Sequence, residues 1–95
     1  MPQATRLGDL NSGHDNCPPR QLITASGNVF VNGRGAGRVG DQYSSHSCLE
    51  HDPHNDYIAS GSSTVFINGI AAGRVNDEVA IAGSVMTGSE NVFIG

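Results

Sequence analysis

The chain has no tryptophan, three phenylalanines and four leucines, and its hydrophobic content is 37%. That is too little large apolar side chain for a sizeable core in 95 residues, so something besides apolar burial must hold the fold together. Charge is also sparse: 15% of residues are charged and the formal net charge is −4, which offers nucleic acid or an anionic membrane no electrostatic attraction. No stretch is long or apolar enough to span a bilayer, and the opening MPQATRLGD lacks the basic and apolar regions of a secretory signal. The expectation is synthesis in the cytoplasm, with any exit from the cell by a route that needs no signal peptide. Runs of helix formers are missing too, while thirteen glycines are present. The composition therefore points to short strands and tight turns in one all-β domain spanning residues 1–95.

What is present is a repeat. VFVNGRGAGRVGD at 29–41 aligns without a gap to VFINGIAAGRVND at 65–77, with nine of thirteen positions identical. RLGD at 6–9 repeats the second half of the phrase and NVFIG at 91–95 the first half. One unit is thus divided between the two ends of the chain, and is restored only if they meet in space. The sequence predicts three β-hairpin repeats closed into a ring of pseudo-threefold symmetry, the third completed by the termini. Within each full copy, Asn32-Gly33 and Asn68-Gly69 are strong signals for a two-residue hairpin turn, followed by returning runs to Val39 and Val75. Gly35 and Gly37 lie in a returning strand, where glycine marks a bulge or a close approach of strands. The Gly-Arg-Gly-Ala-Gly stretch is not read as a phosphate loop, because no helix pattern follows it. Arg6, Arg38 and Arg74 each precede an aspartate by three residues (Asp9, Asp41, Asp77). Their recurrence predicts a structural fork onto loop carbonyls or onto a carboxylate of the neighbouring unit. Phe30, Phe66 and Phe93 are assigned to the core in preference to a partner surface, with Val29, Val65 and Val92 facing the other way.

Between the repeats run three inserts, 10–27, 42–63 and 78–90, and the first two carry the unusual side chains. His14 follows Asp9 by five residues and His46 follows Asp41 by five; the third such position is Ala82. Threefold placement brings the two imidazoles together at one end of the ring. The second insert adds Cys48, His51 and His54 in the run HSCLEHDPH. Four histidines and a cysteine converging on one point read as a tetrahedral zinc site of three nitrogens and one sulfur, drawn from His14, His46, Cys48, His51 and His54. Which four of the five bind stays open. Cys17, before Pro18-Pro19, reads as a buried small apolar residue; a Cys17–Cys48 disulfide, suited to an oxidising compartment, is the lesser alternative. A catalytic zinc would keep an open position beside a general base, and Glu50 and Asp52 flanking His51 make only a weak hydrolase case. The chain is read as a non-enzyme.

The ring of VF[VI]NG and R-V-G-D phrases, the Gly13-His14 step leading into Pro18-Pro19-Arg20, and the histidine-rich insert followed by SGSSTVFING resemble the PAAR-repeat family across essentially the whole chain. The phrase that names the family appears here as Gly35-Ala36-Gly37-Arg38 and Ala71-Ala72-Gly73-Arg74, and neither copy keeps the proline. The resemblance implies a small conical β-structure with structural zinc near its point. It implies a non-enzymatic part that caps the trimeric VgrG spike of a type VI secretion system, or the central spike of a contractile phage tail, one copy per trimer. Transient contact with a target membrane and carriage of effector cargo are implied as well. Family members often carry fused toxin domains, and none is expected within these residues. A closed site in a tip too narrow for a core would supply about ten kcal/mol of folding free energy.

Overall fold

The computed structural model describes residues 1–13, 17–44, 56–80 and 83–95, and none of these is helical. Strand β1 (Phe30–Val31) pairs antiparallel with β2 (Arg34–Gly35), placing Phe30 opposite Gly35. Strand β3 (Phe66–Ile67) pairs with β4 (Ile70–Ala71) in the same register, Phe66 opposite Ala71. Both turns have two left-handed residues, Asn32 and Gly33 at φ 54° and 77°, Asn68 and Gly69 at φ 55° and 76°. That is the type I′ geometry whose twist suits a hairpin, and asparagine and glycine are the residues that tolerate it.

The strands are shorter than the returning runs to Val39 and Val75 led one to expect, because each chain leaves its hairpin partner after two residues to pair elsewhere. Arg6 bridges Ala36, Arg38 bridges Ala72 and Arg74 bridges Ala4, all antiparallel. The ends of the chain pair with one another: Gln3 bridges Phe93, and the Ile94 amide donates to the Pro2 carbonyl at 2.8 Å. The Ala4 amide donates to the Val92 carbonyl at 2.9 Å, matching Ala36 to Val29 (2.9 Å) and Ala72 to Val65 (3.0 Å). At the centre three backbone bonds close a triangle, Thr5 N–H to Gly73 (3.2 Å), Gly73 N–H to Gly37 (2.9 Å) and Gly37 N–H to Thr5 (3.0 Å). Segments from the start, middle and later part of the chain are thereby joined in a cycle.

Two small apolar clusters sit on either side of that triangle. Val31, Ile67 and Ile94 pack with Ala4, Ala36 and Ala72 toward the hairpin turns. Leu22, Tyr43, Ile58, Val79 and Val85 pack beyond it, covered by Val39 and Val75. Every member of the second cluster's buried set comes from the inserts, so these stretches build core as well as loops. The assignment of the phenylalanines to the core is overturned: Phe30, Phe66 and Phe93 are 58%, 59% and 47% exposed. Their strand neighbours point inward instead, because alternation along a strand allows one of each adjacent pair to face the axis, and near the axis there is room for valine or isoleucine but not for three phenyl rings. Val29 and Val65 are exposed by a little over a third. The body measures 37 × 23 × 22 Å, with nearly equal short axes.

Candidate functional site

The recurrent Arg-x-x-Asp phrase folds locally as a turn, and its aspartate closes it. The Asp9, Asp41 and Asp77 amides donate to the carbonyls of Arg6, Arg38 and Arg74 at 2.9, 3.0 and 3.0 Å. In return Oδ2 of each aspartate accepts from the arginine's own backbone N–H at 2.8 Å. The guanidinium then forks onto both oxygens of the same carboxylate, Arg38 at 2.9 and 3.0 Å for example. The expected carboxylate of a neighbouring unit is thus a carboxylate of the same turn. The remaining guanidinium nitrogen does reach across: Arg6 Nη1 to Asn32 Oδ1 (3.1 Å), Arg38 Nη1 to Asn68 Oδ1 (3.2 Å) and Arg74 Nη1 to the Gly95 carbonyl (3.2 Å). Asn32, Asn68 and Gly95 each follow the inward Val31, Ile67 or Ile94, so the contacts link the segments cyclically. Hydrogen bonding to the aspartates raises the pKa of all three arginines further, against a smaller opposing effect of burial. Burial pushes the Asp9 carboxyl up, but hydrogen bonds and charge from Arg6, with the Thr87 hydroxyl, outweigh it and hold the group below its ordinary value.

A second set of polar residues was missed in the sequence. Ser26, Ser62 and Ser89 are buried, and their hydroxyls accept from the amides two and three residues on, for Ser62 at 3.0 and 2.8 Å. They donate across the hairpin turns to Asn68 Oδ1 (2.7 Å), the Gly95 carbonyl (2.6 Å) and Asn32 Oδ1 (2.6 Å). Thr24, Ser60 and Thr87 hydroxyls donate to Asp41, Asp77 and Asp9 at 2.9, 3.3 and 3.1 Å. The signal was there: TASGNVF, SGSSTVF and TGSENVF put a hydroxyl at the same two places before each Val-Phe. The repeat begins five residues earlier than its apolar part suggests.

The molecule therefore has two unlike ends. At the turn end stand the exposed Phe30, Phe66 and Phe93, with Val29, Val65 and Ile70 also exposed. A shallow polar depression of about 250 Å³, lined by Arg6, Asn32, Gly88, Glu90 and Asn91, lies beside it, and its arginine is already committed to Asp9. At the far end, bridges Leu10–Gln21, Gln42–Tyr57 and Glu78–Ser84 lead to Gly13, Ser44 and Ala80, from which the chain departs to return at Cys17, Asp56 and Gly83. Asn11 Oδ1 brackets the first departure, accepting from Gly13 N–H (3.1 Å) and Arg20 N–H (2.9 Å). Tyr43 is fully buried here, and burial, with the charges of Asp9, Asp56 and Asp77, raises its phenol pKa so that it stays neutral.

His14, His46, Cys48, His51 and His54 all lie outside the described residues. Among the described residues no group of three or more histidine, cysteine, aspartate or glutamate side chains is placed to hold a metal. Cys17 is buried, at 4% exposure, as its reading as a small apolar residue requires, yet it is not a free thiol: it is disulfide-bonded. The sequence has one other cysteine, Cys48.

A comparison with curated proteins found no match. The family described as PAAR motif matches residues 12–86, a span that takes in both hairpins, the second apolar cluster and all five candidate ligands. This chain belongs to the PAAR motif family.

Proposed function

We propose that the chain is the tip of a contractile injection spike: a cone of three pseudo-equivalent units, one of them assembled from both termini, that caps the end of a trimeric VgrG-type spike. The observation that carries this reading is the threefold recurrence of the bonding, from the axial triangle of Thr5, Gly37 and Gly73 out to the arginine contacts on Asn32, Asn68 and Gly95. One chain with three similar faces can meet a threefold partner with all of its subunits satisfied, so one copy serves one trimer. The exposed Phe30, Phe66 and Phe93 supply a ring of apolar anchors of the kind that dominates interface energetics. The opposite end, where the inserts depart, becomes the leading point that meets a target membrane, with effector cargo carried by the assembly and no catalytic role for the chain itself. In this reading the chain waits in the cytoplasm until it is mounted on the spike and leaves with it. The central spike of a contractile phage tail asks for the same object.

The test is co-purification of the full chain with a trimeric spike protein. The expected result is one copy per trimer, with capture lost in Phe30→Asp/Phe66→Asp while the circular dichroism spectrum is unchanged. Capture that survives the double substitution, or a stoichiometry of three per trimer, would overturn it.

A further inference from the structure

We infer that Asn32 and Asn68 are self-modification sites, poised to lose ammonia to the amide of the glycine that follows, and that closure of the ring silences both by clamping their side chains from a neighbouring unit. Each asparagine precedes a glycine, Gly33 or Gly69, at the tip of a hairpin. Asparagine is a thermolabile residue, and a following glycine puts no side chain in the way of attack by its own nitrogen. Nothing else covers these tips: a Cβ on Gly33 or Gly69 would meet no atom within 4 Å. Bulk therefore gives the turns no protection, and hydrogen bonding has to supply it.

The bonding is the same at both tips and reaches every polar atom of the side chain. Asn32 Oδ1 accepts from Arg6 Nη1 (3.1 Å) and Ser89 Oγ (2.6 Å), and Asn32 Nδ2 donates to Asn91 Oδ1 (2.9 Å). Asn68 Oδ1 accepts from Arg38 Nη1 (3.2 Å) and Ser26 Oγ (2.7 Å), and Asn68 Nδ2 donates to Asn28 Oδ1 (2.8 Å). None of these partners lies in the hairpin whose turn it holds. Both arginines are anchored in turn by their own aspartates, and both serines are buried. At the third corner the same pair of donors, Ser62 Oγ and Arg74 Nη1, grips the Gly95 carbonyl, where there is no amide to lose. The clamp thus belongs to ring closure, and protection of the two amides comes with it.

In the reaction, the Gly33 nitrogen bonds to Asn32 Cγ and gives its proton to solvent base. The Cγ–Nδ2 bond breaks, and the nitrogen leaves as ammonia, protonated from water. Water then opens the succinimide at either carbonyl, to aspartate or to isoaspartate. Attack needs the nitrogen within about 3–3.5 Å of Cγ and in line with it. Turning Asn32 to bring this about takes Oδ1 off its two donors, Nδ2 off Asn91, and Arg34 out of register with Val31. The donors do polarise the carbonyl, as an oxyanion hole would. They are set on the planar amide in the turn, however, so they hold the ground state. Reaction has to wait for local opening, and its rate falls by the opening equilibrium. The products do not fit back. Aspartate at 32 sets a carboxylate oxygen against Asn91 Oδ1, and isoaspartate adds a backbone carbon to a two-residue turn. A chain that lingers open is therefore changed irreversibly, whereas a closed one keeps its amides.

The experiment incubates the full chain, folded and in urea, at slightly alkaline pH and body temperature. Acid digestion and tandem mass spectrometry then locate the amide-to-acid mass gain at each site. Both sites are expected to react at least about tenfold more slowly in the folded chain. The clamps cross between units, so their removal should act one site at a time. Ser89→Ala should speed Asn32 and leave Asn68 alone, and Ser26→Ala should do the reverse. Asn91→Ala, at an exposed position that leaves the fold intact, should also speed Asn32 alone. Equal rates in the folded and unfolded chains overturn the proposal. So does acceleration of both sites together in the Asn91 variant, which would mean global unfolding governs the rate, and so does slowing of Asn32 in Ser89→Ala, which would make the hydroxyl an activator. None of these outcomes bears on the capture of spike trimers.

Discussion

Thr5, Gly37 and Gly73 occupy matching places around the axial triangle, and one methyl group fills what three cannot. A Cβ on Gly37 would stand 2.8 Å from Thr5 Cγ2 and 2.9 Å from Leu22 Cδ2; on Gly73 it would stand 3.0 Å from Ile58 Cδ1 and 3.1 Å from Thr5 Cγ2. Glycine is needed here for space, not for an unusual backbone angle. Gly37→Ala should therefore destabilise the chain by about 1–3 kcal/mol, the usual cost of overpacking. Thr5→Ser removes the methyl and keeps the hydroxyl that donates to the Thr87 carbonyl. Chemical denaturation should find the double variant Thr5→Ser/Gly37→Ala more stable than Gly37→Ala alone. A double variant whose loss is simply additive would place the strain elsewhere.

The element on which the fold turns is the Arg-x-x-Asp loop, because its guanidinium closes its own turn and also grips the adjacent hairpin. The Asp9 side chain is 6% exposed beside Arg6 at 13%, and a carboxylate buried to that degree is stabilised by the arginine far more than an open surface pair would be. Its folded-state pKa is depressed, so its contribution is fully present above the unfolded value near 4 and is lost as pH falls through the lower folded value. Thermal melts should be flat from neutral pH down to about 5 and then fall steeply in acid. Asp9→Asn should lower the melting temperature at pH 7 while making the acid decline shallower. An unchanged acid slope in that variant would mean the pair adds nothing to the pH dependence.

For the whole molecule the decisive feature is that the ends pair. Gly95 and Met1 stand where Asn32-Gly33 and Asn68-Gly69 stand in the other two hairpins, beside Ile94, which bonds to Pro2. A circular permutant that joins Ile94 to Pro2 through Asn-Gly and opens the chain between Asn32 and Gly33 should fold with a melting temperature within a few degrees of the parent. Deleting residues 1–5 should abolish the cooperative transition, since it removes Ala4 from the core, Thr5 from the axial triangle and the pairing partner of Phe93. A truncated chain that melts cooperatively at the parent's temperature would show that ring closure is dispensable.

Repetition made much of this legible. The Asn-Gly turns, the pairing of the ends and the structural use of arginine beside aspartate all follow from local residue chemistry, or from one phrase recurring where its halves could be recognised. Reading stopped short where the repeat is written in hydroxyls: Ser26, Ser62 and Ser89 look like loop residues until their neighbours are known. It failed for the phenylalanines, since alternation says only that Phe30 and Val31 face opposite ways and not which face meets the axis. The width of the ring decides that, and width is a property of three segments together.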